Sequence, residues 1–348
     1  MSEHLTLSID AMGGDNAPEM VVAGINLSRR QLPDVDYILF GNEQMIAPLL
    51  DKYPHVKDCC RIVHTSDIVS DDEKPSVALR QGRQSSMRLA INAVGDGEAN
   101  GVISAGNTGA LMAMAKFVLK TLPGISRPAI ATYFPTQRGE SLMLDLGANV
   151  LCDADNLVQF AVMGEVFARN VLGLEQPSVG LLNVGTEDLK GHESIQQAAE
   201  ILKNTSLPIK FHGFVEGDDI GAGTVDVVVT DGFTGNIALK ATEGTAKLVG
   251  KFLKDALTST PVSKLGAVLA RKALNEFRMK MDPRRYNGAM FLGLNGICIK
   301  SHGGTDEIGF SNAIGVAVEL ITDGLNDGIK EDFAQLNSNG KKEQAAAV

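Results

Sequence analysis

Short apolar runs alternate with glycine-rich polar turns and helical repeats along most of the chain. Runs with the length and composition of buried strands occur at 5–10, 37–41, 62–65, 101–105, 129–134, 141–146, 179–184 and 209–215. Apolar positions at helical spacing follow at 19–32, 76–94, 110–122, 155–172, 193–204 and 306–325. This alternation predicts an α/β fold, with a parallel or mostly parallel sheet and helices on both of its faces.

The most informative stretch is 226–244, with the sequence DVVVTDGFTGNIALKATEG. Three consecutive valines suit a strand covered on both faces, and we place this strand at 225–230. A polar turn with two glycines follows at 231–235, and a helix begins near Asn236. Glycine lets a ligand approach the backbone, and the unpaired N–H groups of a helix start favour an anion. The stretch therefore predicts an anion site.

Four more turns combine glycine with polar side chains. They occur at 13–16, 106–109, 147–149 and 185–191. In open parallel sheets, ligands bind outside the carboxyl ends of the strands. We therefore expect these turns and 231–236 to line one edge of the sheet.

Composition narrows the class of protein. The chain has 348 residues, 44% of them hydrophobic, which suffices for one large α/β domain or two lobes. A net charge of −10 argues against nucleic-acid binding. The four cysteines form no CxxC pair and favour reduced thiols in the cytoplasm. The first residues lack a signal-peptide pattern, and no run of about 18 apolar residues predicts a membrane span.

The segment 245–281 differs from the rest of the chain. Its pattern predicts two amphipathic helices broken at 259–261. Eight basic side chains against two acidic ones give this segment a net charge of +6. It is expected to contact an anionic membrane surface, an acidic protein partner or a second copy of the chain. The basic residues assigned to a membrane or carrier-protein contact are Lys247, Lys251, Lys254, Lys264, Arg271 and Lys272.

Several familiar catalytic signatures are absent from the sequence. There is no GxGxxG after a strand, no GxxxxGK[ST], no GxSxG and no HExxH. The six histidines are scattered and form no metal-ligand pattern. We therefore predict neither a cofactor nor a metal.

The candidate residues of the turns each have two open roles. Lys190 either contacts a phosphate or oxyanion, or is a solvated surface lysine. Asn236 faces a ligand or caps a helix, and Asp231 is a general base or an ordinary turn carboxylate. His302 binds phosphate or is structural. Cys152 would act as a nucleophile only with an activating partner, and no histidine neighbours it in the sequence.

Six motifs that contain these turns indicate a protein family when they are considered together. They are IDAMGGDNAP (9–18), SAGNTGAL (104–111), DLGANV (145–150), LLNVGTEDLKG (181–191), VTDGFTGN (229–236) and GICIKSHGGTD (296–306). In this order they resemble the bacterial phosphate acyltransferase family, the acyl-carrier-protein:phosphate transacylases of phospholipid synthesis. The resemblance covers nearly the whole folded chain. Thr234 stands where the family often has valine, and we expect little consequence.

The resemblance implies a three-layer α/β/α fold with a mixed, mostly parallel sheet, similar to phosphotransacetylases and isocitrate/isopropylmalate dehydrogenases. Residues 1–336 would form a single domain of two intertwined lobes, with 245–281 protruding as a helical pair and a disordered tail at 337–348. The resemblance implies transfer of a long-chain acyl group from acyl-carrier protein to inorganic phosphate by direct attack on the thioester. The acyl phosphate would pass to a membrane-bound glycerol-3-phosphate acyltransferase. The resemblance also implies a cytoplasmic homodimer peripherally associated with the inner face of the cell membrane.

The resemblance places Lys190 and Asn236 in the motifs that carry catalysis. The residues expected to bind phosphate or other parts of the substrate are Gly13, Gly14, Asp15, Asn107, Thr108, Gly109, Gly185, Asp231, Gly235 and His302. Two other functions stay open. One is a phosphotransacetylase-type enzyme that uses coenzyme A thioesters, and the other is a non-catalytic regulator that binds acyl or phosphorylated ligands.

Overall fold

The structure is a computed structural model that describes residues 4–205 and 209–334, so the tail predicted at 337–348 lies outside the described residues. The strands are β1 (Leu5–Asp10), β2 (Val35–Gly41), β3 (Cys60–His64), β4 (Gly101–Ser104), β5 (Ala129–Thr136), β6 (Gly139–Leu144), β7 (Ser178–Leu182), β8 (Lys210–Val215), β9 (Val227–Val229), β10 (Ala289–Leu292) and β11 (Ile297–Lys300). The helices are α1 (Glu19–Ser28), α2 (Glu43–Leu50), α3 (Pro54–Lys57), α4 (Pro75–Gln81), α5 (Ser86–Gly95), α6 (Thr108–Leu119), α7 (Ala154–Asn170), α8 (Glu193–Lys203), α9 (Gly217–Ala222), α10 (Gly232–Thr258), α11 (Pro261–Leu269), α12 (Arg271–Lys280) and α13 (Glu307–Thr322). A 3-10 turn at Pro283–Tyr286 and a last helical segment at Leu325–Ala334 complete the described chain.

The strands form one mixed sheet in the order β3-β2-β1-β4-β11-β10-β5-β6-β9-β7-β8. The set β3, β2, β1, β4 and β11 is parallel, and so is the set β6, β9, β7 and β8. Between the two sets, β10 is antiparallel to β11 and to β5, and β5 is antiparallel to β6. Three reversals separate the two sets, so they run in opposite directions.

This reversal corrects one expectation from the sequence. The carboxyl ends of β1, β4 and β11 lie at one edge of the sheet, and those of β6, β9 and β7 lie at the opposite edge. The prediction that all five glycine turns line one edge is therefore wrong. Apolar runs indicate where strands are, but they do not indicate the direction in which a strand pairs.

Hydrophobic side chains fill a core on each face of the sheet. Helices α1, α7, α8 and α13 cover one face, and α4, α5, α6 and the start of α10 cover the other. Val227 and Val229 point into the first core and Val228 into the second, and all three are buried. The predicted three-layer arrangement, and the prediction that this strand is covered on both faces, are confirmed.

Two predicted helices are interrupted in the structure. The pattern at 76–94 forms α4 and α5, because the first ends at Gly82 and the Ser85 hydroxyl caps the second by accepting from the Arg88 N–H (3.3 Å). The segment 245–281 has the predicted break at 259–261 and another break at Ala270. Neither α11 nor α12 contains a buried residue.

Within residues 4–205 and 209–334, no single helix has the length and apolar character needed to cross a membrane. The bent pair Glu307–Thr322 and Leu325–Ala334 passes this test by length and composition only, with a bend of 46°. Phe310 and Ile314 of this pair are fully buried in the core.

Candidate active site

The first turn cluster forms where β1, β4 and β11 end. It is defined by residues 11–16, 105–109 and 301–305. A Cβ atom on Gly13 would lie 2.5 Å from Oδ2 of Asp10 and 2.7 Å from the nitrogen of Gly106, so the close packing of these turns requires glycine here. The Asp15 N–H donates to the Gly303 carbonyl (3.0 Å). Turns that are far apart in the sequence therefore form one continuous surface.

Asp10 supports this surface from below. Its carboxylate is 1% exposed and accepts from the hydroxyls of Ser86 and Ser104 (both 2.6 Å) and from the Met12 N–H (3.4 Å). Burial raises the pKa of Asp10, while these hydrogen bonds and the charge of Lys300 act in the opposite direction. Asp10 therefore holds the turn in place and has no exposed atoms to offer a ligand.

Lys300 was not singled out from the sequence, although it lies in the GICIKSHGGTD motif. Its ammonium group donates to the carbonyl of Ala105 (3.1 Å) and to that of Ser301. Burial lowers the pKa of Lys300 to about 8, and the carboxylates of Asp71, Asp10 and Asp15 oppose this fall. A lysine as the last residue of an apolar strand was the signal in the sequence.

Asn107 has a structural role in the described chain. Its Oδ1 accepts from the Ala110 N–H (3.0 Å) and caps α6. Its Nδ2 donates to the carbonyls of Ser70 (3.2 Å), Asp71 (2.9 Å) and Glu73 (2.9 Å). The side chain is thus occupied in holding the loop before α4. Any anion contact at this helix start would come from the backbone of the first turn of α6, where Thr108 and Gly109 lie.

His302 lies in the first turn cluster with one ring nitrogen engaged. Its Nδ1 accepts from the Gly304 N–H (3.1 Å), so in the neutral ring Nε2 carries the proton. Partial burial lowers the pKa of His302, and the ammonium groups of Lys240 and Lys300 lower it further. His302 can therefore offer an anion a neutral Nε2–H donor.

The second turn cluster forms where β6, β7 and β9 end. It is defined by residues 145–152, 183–191 and 230–236. The fully buried Asp145 accepts from the N–H groups of Ile130 (2.9 Å), Gly147 (3.2 Å), Ala148 (3.0 Å) and Asn149 (2.7 Å), and from Asn149 Nδ2 (2.8 Å). Burial raises the pKa of Asp145, and the hydrogen bonds oppose this rise. Asp145 therefore fixes the turn 147–149.

The helix α10 begins four residues earlier than predicted. Asp231 is its N-cap, since the Asp231 carboxylate accepts from the Thr234 N–H (2.9 Å) and hydroxyl (2.8 Å). The Gly232 N–H donates to the Asn149 carbonyl (2.8 Å). A Cβ atom on Gly235 would collide with the carbonyl oxygen of Asp145. Of the two roles open to Asp231, the structure shows that of a helix-capping turn carboxylate.

Asn236 is therefore the fifth residue of α10, at the start of its second turn, and not its cap. Its side chain is exposed and lies beside Gly147, where a Cβ atom would be 3.7 Å from Asn236 Cβ. This exposure leaves the carboxamide available to a ligand. The alternative that Asn236 caps the helix is therefore wrong.

Lys190 is exposed on the turn after β7. Asn183 Nδ2 donates to the Lys190 carbonyl (3.1 Å), and a Cβ atom on Gly185 would be 3.2 Å from Lys190 Cγ. Because β7 pairs with β9, this turn lies next to the one that starts α10. In the described chain no hydrogen bond joins the side chains of Lys190 and Asn236. The structure places both residues in the second turn cluster, where both are exposed.

The helix α10 starts in the second turn cluster, and charged side chains along it lie within electrostatic range of the first. Asn236, Lys240, Glu243 and Lys247 follow one another at three- and four-residue spacing and form a polar strip on one side of α10. The charges of the last three act on the pKa of His302 in the first turn cluster. Lys240 is one turn, about 6 Å along the axis, from Asn236. Charged side chains of α10 therefore affect the pKa values of Lys300 and His302. They do so although β9, which precedes α10, and β11, which precedes His302, end at opposite edges of the sheet.

Cys152 lies half-buried in the second turn cluster. Its Sγ contacts the Asn149 carbonyl at 3.7 Å. Burial, together with the charge of Asp145, raises the pKa of Cys152 to about 12, so the thiol stays protonated at neutral pH. Among the residues that the structure describes, no group of three or more His, Cys, Asp and Glu side chains is arranged to hold a metal ion.

Solved structures with the same fold define the class to which this architecture belongs. A phosphotransacetylase from Streptococcus pyogenes matches 92% of this chain and 95% of its own, with a TM-score of 0.64 and 16% identity. The 4-hydroxythreonine-4-phosphate dehydrogenase from Klebsiella pneumoniae matches 92% of this chain and 98% of its own, with a TM-score of 0.53 and 14% identity. The fold is therefore the mixed-sheet α/β/α architecture of these enzymes, as expected.

Sequence relatives identify the family. A family profile with the description "Fatty acid synthesis protein" matches residues 5–327. The phosphate acyltransferase of Rhodospirillum centenum is 64% identical over 338 residues, which are 97% of this chain and 95% of the relative. The chain belongs to the phosphate acyltransferase family, and it is an acyltransferase of fatty acid and phospholipid synthesis. The family resemblance predicted from the six motifs is confirmed.

Proposed function

We propose that this protein transfers a long-chain fatty acyl group from acyl-carrier protein to inorganic phosphate and so supplies acyl phosphate for glycerophospholipid synthesis. One observation carries the proposal: α10 starts in the second turn cluster, which holds the exposed Asn236 and Lys190, and its charges lie within electrostatic range of Lys300 and His302 in the first. The family supports acyl transfer involving phosphate, and Cys152, the thiol in the second turn cluster, is held protonated. Direct attack by phosphate requires no covalent enzyme intermediate.

In the proposed mechanism the first turn cluster holds phosphate. The backbone N–H groups of Gly14 and of the start of α6, the Lys300 ammonium and the His302 Nε2–H are its donors. A phosphate oxygen attacks the thioester carbon, the C–O bond forms, and the C–S bond then breaks. The thiolate of the carrier protein leaves and takes up a proton. Phosphate dianion is nucleophilic enough, so that positioning it is the main requirement.

Lys190 and Asn236 stabilise the oxyanion that develops on the thioester carbon. Both are exposed in the second turn cluster, and together they can donate from ammonium and carboxamide groups to one oxygen atom. We expect Lys190→Ala and Asn236→Ala each to lower kcat by about 10²–10³. Lys57→Ala, on an exposed lysine of α3 that pairs with Asp51, is the matched control and keeps full activity.

The assay is the phosphate-dependent release of free carrier protein from palmitoyl-acyl-carrier protein, with acyl phosphate trapped by hydroxylamine. Near-normal acyl phosphate formation by either alanine variant would contradict the assigned roles. A protein that uses coenzyme A thioesters as well as carrier-protein thioesters would favour the phosphotransacetylase-type alternative. If no thioester is lost in the presence of phosphate, the regulatory alternative is supported.

The protruding helices are proposed to contact an anionic membrane surface, where the product is handed to a membrane-bound glycerol-3-phosphate acyltransferase. Their apolar side chains Phe252, Leu265 and Leu269 are exposed beside the basic residues. Sedimentation with vesicles of anionic lipid tests this contact, and unchanged binding after charge reversal at Lys251 and Arg271 would exclude it. Sedimentation equilibrium tests the homodimer that is part of the same proposal.

A further inference from the structure

Six large apolar side chains remain exposed around the second turn cluster. We call this set the apolar rim: Val150, Leu151, Val184, Leu189, Phe233 and Ile237. Their exposed fractions range from 52% for Ile237 to 90% for Leu189. Isolated apolar side chains on a surface need no explanation, but an apolar set grouped around a polar site suggests a ligand.

The contacts of the backbone bring the members of the rim together. The Gly232–Asn149 hydrogen bond joins the turn that carries Val150 and Leu151 to the start of α10, whose first two turns carry Phe233 and Ile237. The pairing of β7 with β9 places Val184 beside the same helix start, since neighbouring strands are about 4.8 Å apart. The rim therefore borders Asn236 on several sides.

The Lys190 turn completes the rim. The Asn183–Lys190 hydrogen bond (3.1 Å) folds the segment 184–190 back onto the end of β7. Leu189 precedes Lys190 directly and is almost fully exposed. Both catalytic candidates are thus flanked by apolar side chains that cover no part of the core.

An apolar strip continues from the rim along α10. The apolar strip consists of Phe233, Ile237, Ala241, Gly244 and Leu248. Because successive helix residues are rotated by about 100°, these five lie on the same exposed side of α10. The core-facing side of α10, with Gly235 and Leu239, points away from this sector. From Ile237 to Leu248 the strip extends about 16 Å, from a rise of about 1.5 Å per residue. It runs beside the polar strip that starts at Asn236.

We propose that the apolar rim and the apolar strip bind the alkyl chain of a long-chain acyl substrate and so set the chain-length preference. This proposal rests on the proposed function, because it places the thioester carbonyl at Asn236. The alkyl chain begins at the carbonyl carbon and must therefore leave the site over the side chains that surround Asn236. The apolar rim and the apolar strip are the apolar surface beside Asn236, and each methylene buried there adds favourable transfer free energy. Adjacent polar and apolar strips match a substrate with a charged end and an alkyl tail.

The first experiment compares chain lengths. Leu151→Ser and Leu189→Ser alter side chains that are 81% and 90% exposed, so the fold is unaffected. We expect each to lower kcat/KM about tenfold or more with palmitoyl-acyl-carrier protein and less than twofold with the butyryl thioester, since pocket contacts with alkyl groups discriminate by such factors. Met45→Ser, on an exposed apolar residue of α2 far along the sheet, is the matched control and changes neither value.

The second experiment measures binding without turnover. Isothermal titration with dodecylphosphonate and butylphosphonate, below the micellar concentration, reports the alkyl contribution directly. In the serine variants, dodecylphosphonate binds about tenfold more weakly and butylphosphonate is unchanged. If the unaltered protein shows no phosphate-dependent thioester loss, the proposed function fails, while this titration still decides whether the rim binds an alkyl chain.

Two results would overturn the inference. One is an equal loss of kcat/KM at both chain lengths, or dodecylphosphonate affinity that the serine substitutions leave unchanged. The other is that the rim binds a membrane or a second copy of the chain. The serine variants would then lose vesicle binding or self-association but keep their affinity for dodecylphosphonate.

Discussion

Asp145→Asn tests how the buried carboxylate holds the second turn cluster. Every partner of Asp145 is an N–H donor: Oδ1 accepts from Ile130, Gly147 and Ala148, and Oδ2 accepts from two groups of Asn149. Asparagine has the same shape but presents an NH₂ group in place of one oxygen. At least two hydrogen bonds to the carboxylate are lost, and donors are left facing donors.

The size of the effect follows from this count. Hydrogen bonds to a charged group contribute about 1.5–3 kcal/mol each, and removing a buried charge offsets part of the loss. We expect a net destabilisation of about 3 kcal/mol, or a fall in Tm of about 5 °C for a chain of this size. Because the turn 147–149 borders Asn236, we also expect kcat to fall by about 10².

Asp10→Asn is the matched control for stability. Asp10 is equally buried, but its two short hydrogen bonds come from serine hydroxyls. A hydroxyl can rotate and accept from the new NH₂ group, so we expect a loss of about 1 kcal/mol or less. Thermal unfolding followed by circular dichroism, together with the phosphate-dependent acyl-transfer assay, measures both variants. Equal Tm shifts for the two substitutions, or an unaltered Tm and kcat for Asp145→Asn, would refute the reasoning.

Three further predictions follow from the site. Gly235→Ala lowers the free energy of unfolding by about 3 kcal/mol or more, as an overpacking change does, because the new Cβ collides with the Asp145 carbonyl. Its control, Gly244→Ala, lies in open space on the same helix and is neutral or stabilising by up to about 1 kcal/mol. Urea unfolding of the two variants measures the difference, and equal free energies of unfolding would contradict the prediction. Burial lowers the pKa of Lys300 to about 8, so the lysine loses its charge as pH rises through that value. The KM for phosphate therefore rises above pH 8, and in Lys300→Arg this rise is absent because arginine stays charged. A phosphate KM that does not change with pH in the unaltered protein would argue against a role for Lys300. Cys152→Ala keeps kcat within about threefold, because a thiol whose pKa is raised to about 12 is a poor nucleophile, and a loss of 10² or more would indicate an acyl-thiol intermediate.

Much of the architecture was readable from local patterns. The valine run at 227–229 is buried on both faces, the break at 259–261 is present, and the motifs identified the family. These features depend on residues close together in the sequence. Hydrophobic spacing and turn chemistry report which side of an element is buried and where the element ends, and they do so without knowledge of its neighbours.

The residue at which a helix begins was harder to predict, because it depends on which of several polar residues caps the helix. Asp231 caps α10, a role that the sequence left open for Asn236. Asn107 caps α6 and at the same time holds the loop before α4, a contact across more than 30 residues. Composition alone cannot distinguish a capping side chain from a ligand-binding one, because both are short polar groups at the same kind of turn.

The sequence by itself determined most strands and helices, the polar turns and the family. Only the tertiary structure decided how the turns are grouped. Three antiparallel pairings, of Ala289 with Lys300, Met290 with Ala131 and Thr132 with Met143, reverse the strand direction and divide the turns between opposite edges of the sheet. The same long-range packing buries Asp10 and Asp145 beneath the turns and brings Lys300 into the range of α10. Strand order and direction arise from contacts between segments distant in the chain, and no local pattern of apolar and polar residues encodes them.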